Sequence, residues 1–196
     1  MIAVIKYNAG NIRSVAFALE RLNIDFVITD NHEEIKKADK VIFPGVGEAS
    51  TTMDYLKACK LDKVIKDLKQ PVLGICLGMQ LMCAHSEENN TPCLGIFDES
   101  VKLFIPKNKE KVPHMGWNSL SLSNSWIDSS IHEQFVYFVH SYYVPVNSHS
   151  AAITNYIQPF SSAMKKDNFY AVQFHPEKSA AVGEKVLLSF LNLSTR

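Results

Sequence analysis

Pro71-Val72-Leu73-Gly74-Ile75-Cys76-Leu77-Gly78-Met79-Gln80 is the stretch from which the architecture can be read. An apolar run with the length of a buried strand stops at a Gly-x-Cys-x-Gly turn and passes directly into a helical pattern through Gln80, Leu81 and Met82. A strand-to-helix bend of this kind lifts Cys76 onto the edge of a sheet and sets it at the start of a helix.

On the N-terminal side the same alternation repeats. Ile2-Ala3-Val4-Ile5 reads as a short buried strand and Tyr7-Asn8-Ala9-Gly10-Asn11 as a turn. Asn11 is placed to cap a helix whose Ile12, Val15, Ala16, Leu19 and Leu22 follow the i, i+3, i+4, i+7 stripe. Phe26-Val27-Ile28 is the next strand, and Asp30 or Asn31 caps a short helix with Glu33 and Glu34 near its positive end. Val41-Ile42-Phe43 is a third strand, ending in Pro44-Gly45-Val46-Gly47, whose two glycines allow φ > 0. A helical, partly polar region runs from about Glu48 to Leu68, and the helix after Cys76 is expected to reach about His85.

On the C-terminal side the pattern changes. From Gly95 to about Gln173 there are short β-type segments, among them Val101-Lys102-Leu103, Asn118-Ser119-Leu120, Phe135-Val136-Tyr137-Phe138-Val139 and Ala151-Ala152-Ile153-Thr154. A terminal helix from about Ser179 repeats apolar residues at Val182, Val186, Phe190 and Leu193. These readings give an α/β fold: a mostly parallel central sheet flanked by helices, with an added antiparallel β-region and ligands at the carboxyl ends of the strands. With no repeat, linker or low-complexity segment, residues 1–196 are expected to form one domain.

Composition narrows the function. At 196 residues the chain is long enough to bury roughly 70% of its extended surface. Its 20 lysines and arginines balance 20 aspartates and glutamates, so no global field steers it to nucleic acid or an anionic membrane. The N-terminus lacks a basic segment followed by a long apolar one, and no apolar run approaches the ~20 residues of a membrane span, so a cytoplasmic protein is expected. Cys59, Cys76, Cys83 and Cys93 form no C-x-x-C pair, which favours reduced thiols.

Cys76 has the setting of a nucleophile. A tight turn exposes the sulfur, a helix N-terminus stabilises the thiolate, and the Leu77 amide points to where an oxyanion would develop. The competing reading is a small buried hydrophobe. A base and an orienter are available where the strand Phe169-Tyr170-Ala171-Val172 leads through Gln173-Phe174 into His175-Pro176-Glu177. His32, His85, His132 and His149 lie in polar or helical settings, whereas His114 and His140 remain rivals to His175 on sequence alone. No histidine pair has zinc-ligand spacing, and neither a metal nor a cofactor is expected.

Gly74-Ile75-Cys76-Leu77-Gly78-Met79-Gln80 together with His175-Pro176-Glu177 resembles the class I (triad) glutamine amidotransferase family, which has a flavodoxin-like fold. The resemblance covers essentially the whole chain, including Pro44-Gly45-Val46-Gly47. Pro113-His114-Met115-Gly116-Trp117-Asn118, Tyr137-Phe138-Val139-His140-Ser141-Tyr142-Tyr143 and Gln173 to Ser179 narrow it to the branch that serves imidazole glycerol phosphate synthases in histidine biosynthesis.

The resemblance implies that Cys76 attacks the side-chain amide of L-glutamine, His175 shuttles the proton and Glu177 supports the imidazolium, with a γ-glutamyl thioester as intermediate. It implies an oxyanion hole from the amides of Val46 and Leu77, completed by a peptide flip in the Pro44–Gly47 loop. It implies a glutamine clamp from Gly45, Gln80, Glu88, Ser141 and Tyr142. The implied partner is a (β/α)8-barrel cyclase in trans, forming a heterodimer that makes imidazole glycerol phosphate and AICAR. Asn11, Met115, Trp117, Asn118, Tyr137 and Lys178 would lie at or near that interface, with Tyr137 close to the ammonia path.

From the residues alone, Glu88 reads as a solvated carboxylate, Lys178 as a solvated residue at a helix start, and Met115 and Trp117 as core residues of a β-segment. Lys6 and Asn8 depart from the acidic residue and glycine common in the family, which bears on docking near Asn11 and not on the triad. Three other readings stay open: a paralogue feeding ammonia to another synthase, a non-catalytic regulatory subunit, and a stand-alone cysteine hydrolase.

Overall fold

The chain's computed structural model describes residues 1–7, 11–123 and 125–194. The turn expected at Tyr7–Asn11 and the departure at Asn8 therefore fall wholly or largely outside the described residues. The alternating half comprises β1 (Ile2–Ile5), α1 (Ile12–Arg21), β2 (Phe26–Thr29), α2 (His32–Lys37), β3 (Lys40–Phe43), α3 (Ala49–Ala58), α4 (Leu61–Asp67), β4 (Val72–Ile75) and α5 (Leu77–Met82). The strand-rich half follows with β5 (Cys83–Ser86), β6 (Thr91–Pro92), β7 (Phe97–Leu103), β8 (His114–Ser119), β9 (Ser121–Leu122) and β10 (Phe135–His140). It closes with β11 (Tyr142–Tyr143), β12 (Ser150–Asn155), β13 (Pro159–Lys166), β14 (Phe169–Val172) and α6 (Ala180–Leu191).

The main sheet has the order β2-β1-β3-β4-β14-β13-β12-β9. From β2 to β14 every pairing is parallel, and from β14 to β9 every pairing is antiparallel. Strand β14, near the C-terminus, inserts beside β4 with Val172 opposite Ile75, so the ends of these two strands lie together. Two smaller sheets, β10-β8 and β11-β7-β5-β6, carry the remaining strands.

Strand periodicity explains why both faces are apolar. On β1, Ala3 and Ile5 pack with Ile35, Met53, Leu56 and Leu81 from the helices of one face. Ile2 and Val4 pack with Val15 and Leu19 of α1 and with Val186 and Phe190 of α6 on the other. Strands buried on both faces read as continuous apolar runs, as β1, β3 and β4 do. Asn31 caps α2 as expected, accepting from the amides of Glu33 and Glu34 at 2.9 and 3.2 Å.

Two expectations are corrected. The helical region of residues 48–68 is broken into α3 and α4, with Lys60 between them in the left-handed region at φ 57°. The helix after Cys76 ends at Met82, not near His85, because Cys83–Ser86 is drawn into a sheet with β6 and β7. Among the described residues no helix is long and apolar enough to cross a membrane.

Candidate active site

The elbow after β4 is built by close approach. Cys76 adopts φ 53°, ψ −108°, a conformation that L side chains rarely take, and its amide donates to the Val172 carbonyl at 2.8 Å. A Cβ on Gly78 would stand 2.1 Å from the Phe43 carbonyl oxygen, so only glycine lets α5 begin directly against the end of β3. The packing holds the strained residue in place, and the Cys76 side chain is left buried beside a cavity.

Beyond β14 the chain crosses this elbow and presents His175 and Glu177, whose side chains are 1% and 0% exposed. His175 Nδ1 donates to Glu177 Oε1 at 2.7 Å, which fixes the tautomer and leaves Nε2 turned to the Cys76 side. Asn11 Nδ2 donates to the same carboxylate oxygen. Burial disfavours a charged imidazole here, but the adjoining Cys76 thiol and Glu177 carboxylate outweigh it, and the His175 pKa rises to about 10. The ring therefore carries a second proton at neutral pH.

Two residues that hold this pair were missed or misread in the sequence. Asn11 precedes α1 as expected, but its side chain makes no cap and goes to Glu177 instead. Ser179 is fully buried; its hydroxyl donates to the His175 carbonyl at 2.6 Å and accepts the Tyr137 amide at 2.9 Å. The His175 amide in turn donates to the Tyr137 carbonyl at 2.9 Å, tying the base to β10. A serine at a helix start looks like a cap in sequence, so nothing local distinguished this role.

The cavity beside Cys76 and His175 measures about 340 Å³, within the ~300–1,000 Å³ range of small-molecule sites. Val46, Leu77, Gln80, Glu88, Ser141 and Tyr142 all line it. The Leu77 amide donates to the Gly45 carbonyl at 3.3 Å. Gly45 C=O and Val46 N–H belong to one planar trans peptide and point in opposite directions, so the Val46 amide is turned away from the Leu77 amide. The two loop glycines have different reasons. Gly47 takes φ 114°, whereas a Cβ on Gly45 would lie 2.6 Å from the Gly78 nitrogen. The Tyr7 hydroxyl donates to the neighbouring Pro44 carbonyl.

The far wall carries the other expected residues. Gln80 Nε2 donates to the Tyr142 carbonyl at 3.0 Å and to Gln173 Oε1 at 2.9 Å, leaving its own Oε1 as the acceptor available to a ligand. Glu88 is half-buried rather than solvated, and accepts the Ala49 amide at the start of α3 at 2.7 Å. Burial raises its pKa against that hydrogen bond. The Ser141 carbonyl is held by the Phe104 amide at 2.9 Å.

Close to His175 lies an exposed apolar face. Met115 and Trp117 are 63% and 53% exposed, which overturns their reading as core residues. The period of two along β8 and β10 turns them outward with Tyr137 and Phe135, while His114, Phe138 and His140 point inward. Trp117 sits opposite Tyr137 with ring centroids 6.0 Å apart. Phe135, 57% exposed, extends the patch and was not singled out from sequence. Asn118 stands half-buried on the same hairpin, and Lys178 is exposed one residue beyond Glu177.

Known proteins share the chain's sequence and fold. The family described as glutamine amidotransferase class-I matches residues 3–192. The chain is 63% identical over 194 residues to imidazole glycerol phosphate synthase subunit HisH of Bacteroides fragilis, covering 98% of this chain and 99% of that protein. It is 44% identical over 197 residues to subunit HisH 2 of Legionella pneumophila, covering 100% and 99%. A crystal structure of a glutamine amidotransferase superposes with a TM-score of 0.75 at 16% identity, covering 97% of each chain, a likeness of fold.

Proposed function

The chain belongs to the class-I glutamine amidotransferase family, and on that premise we propose that it is the glutaminase subunit of an imidazole glycerol phosphate synthase, working in histidine biosynthesis. It releases ammonia from glutamine and passes it to a (β/α)8-barrel cyclase bound in trans as a heterodimer. The observation that carries the reading is Cys76 in its strained elbow beside a buried, hydrogen-bonded His175–Glu177 pair, at the wall of a cavity of matching size. The whole described chain acts as one glutaminase domain in this reading, and the four free cysteines suit a cytoplasmic setting.

The residues then take these roles. Cys76 attacks the glutamine amide carbon as a thiolate and forms a tetrahedral oxyanion. Collapse of that intermediate breaks the C–N bond as the His175 imidazolium gives its proton to the leaving nitrogen, so ammonia departs and a γ-glutamyl thioester remains. Neutral His175 next takes a proton from water as the water oxygen adds to the thioester, and collapse returns the thiolate and glutamate. Glu177, held by Asn11, keeps the imidazole oriented and stabilises its charge. Gln80, Glu88 and the backbones of Gly45, Ser141 and Tyr142 hold the substrate.

The oxyanion needs donors, and the Leu77 amide is engaged by the Gly45 carbonyl. Turning the Gly45–Val46 peptide would free the Leu77 amide and bring the Val46 amide to the same point. One such donor is worth roughly 2.7–4 kcal/mol, so glutamine turnover stays weak until the flip occurs. The apolar face of Met115, Trp117, Tyr137 and Phe135 is the proposed seat of the cyclase, continued by Asn11, Asn118 and Lys178. Aromatic anchors of this kind dominate interface energies. A glutamine-like electrophile tests the chemistry: it should label Cys76 and be blocked by excess glutamine. Labelling of Cys59 or Cys93 instead, or no protection by glutamine, would contradict the assignment.

A further inference from the structure

From the cavity wall, which His140 itself lines, a set of buried groups to which the reaction above gives no role runs back toward β8. His114 and His140 are 3% and 5% exposed. His140 Nδ1 lies 2.7 Å from the Tyr142 carbonyl oxygen, His114 Nδ1 lies 3.0 Å from His140 Nε2, and Asn118 Nδ2 lies 3.4 Å from His114 Nε2. Both ends of this chain are fixed. A carbonyl only accepts, so His140 Nδ1 carries a hydrogen. At the other end the Ser119 amide donates to Asn118 Oδ1 at 2.8 Å, and Asn118 Nδ2 also donates to the Asn155 carbonyl at 2.9 Å, so the amide cannot be turned round.

Between those ends only one arrangement satisfies every contact. Neutral His140 accepts at Nε2, neutral His114 donates from Nδ1 and accepts at Nε2, and all donors run from Asn118 toward Tyr142. Burial holds both rings neutral, with pKa lowered to about 4 at His114 and about 3 at His140. The Tyr142 carbonyl also accepts from Gln80 Nε2, and Gln80 bonds to Gln173, whose Nε2 lies 3.6 Å from the Cys76 sulfur. The chain thus ends on the wall shared by the cavity and the sulfur.

We propose that His114 and His140 are positioning residues for glutamine, acting as a one-way hydrogen-bond chain that pins the Tyr142 carbonyl and, through it, the Gln80 side chain. This rests on the functional reading above, in which Gln80 and Tyr142 hold the substrate. The chain starts on β8, whose outward residues Met115 and Trp117 form the exposed face, so the strand that meets the partner also anchors the pocket wall. An ordinary core pair would fill space against Phe138, Tyr156 and Phe160 and need no particular tautomer.

The test compares two variants of nearly equal shape in the complex with cyclase. His114→Leu and His114→Asn both remove the ring that stacks 4.0 Å from Tyr156, but only asparagine keeps a donor at the δ position facing His140 Nε2. His114→Leu should raise the glutamine KM about fivefold, the scale of one buried neutral hydrogen bond, with kcat within about twofold of the parent. His114→Asn should return KM toward the parent value. Nitrogen-15 chemical shifts of the parent should show the Nδ1–H tautomer at both histidines. Equal KM in the two variants, or an Nε2–H tautomer at His140, would overturn the proposal. A parent complex that does not hydrolyse glutamine would instead overturn the functional reading, and the role with it, while the nitrogen shifts would still report whether the chain exists.

Discussion

Cys76 at φ 53° carries strain that a glycine would not. Left-handed backbone costs an L residue about 1–2 kcal/mol, whereas in regular structure glycine is worse than alanine by roughly 0.5–1 kcal/mol. Two variants without the sulfur should therefore reverse their usual order: Cys76→Gly is expected to be more stable than Cys76→Ala by about 1 kcal/mol in urea unfolding, and both lack glutaminase activity. An alanine variant as stable as the glycine one would remove the strain from the account. The histidines make a second prediction, with opposite signs. His175 has its pKa raised from 6.5 to about 10, so its stabilising contribution is complete below pH 6.5 and is lost as pH rises toward 10. His114 and His140 have theirs lowered from 6.5 to about 4 and about 3, so their contribution is complete above pH 6.5 and is lost as pH falls through that range. Unfolding free energy measured across pH should decline on both sides, with a flatter alkaline limb in His175→Gln and a flatter acid limb in His114→Asn.

At the scale of elements, the strands and helices announced by an unbroken apolar run or a clear stripe were legible: β1, β3 and β4, the helix α1 with Val15, Ala16 and Leu19 buried, and α6 with Val186 and Phe190 buried. Elements decided by distant partners were not. Cys83–Ser86 continues a helical sequence pattern and becomes a strand only because β6 and β7 flank it. Within the site, the turn around Cys76 was legible because it is local, and His175 was set apart from His114 and His140 only by the family resemblance, whereas Ser179 and the His114–His140 chain exist only through contacts between β8, β10 and the segment after β14. The β8–β10 hairpin supplies the element-scale prediction. Trp117 is 53% exposed and, among the described residues, its ring contact is with Tyr137 of the paired strand, so Trp117→Ala should leave the circular dichroism and melting of the isolated chain nearly unchanged. Its affinity for the cyclase should fall by about tenfold or more, the cost of a typical aromatic hot spot. Lost helicity with unchanged affinity would return Trp117 to the core.

The molecule joins two faces through one short segment. Tyr137 offers its ring to the exposed patch while its backbone is bonded to His175 and Ser179, so the surface proposed to meet the cyclase is one residue deep from the proposed base. On the opposite side of the elbow, the Gly45 carbonyl holds the Leu77 amide. In the proposed function this carbonyl keeps the chain nearly silent until the partner turns the peptide. The direct measurement is glutamine turnover by the isolated chain beside turnover in the complex with a cyclase loaded with its ribonucleotide substrate. Two oxyanion donors brought into place predict an increase in kcat of at least ~10²-fold. Comparable turnover in the two samples would contradict the account.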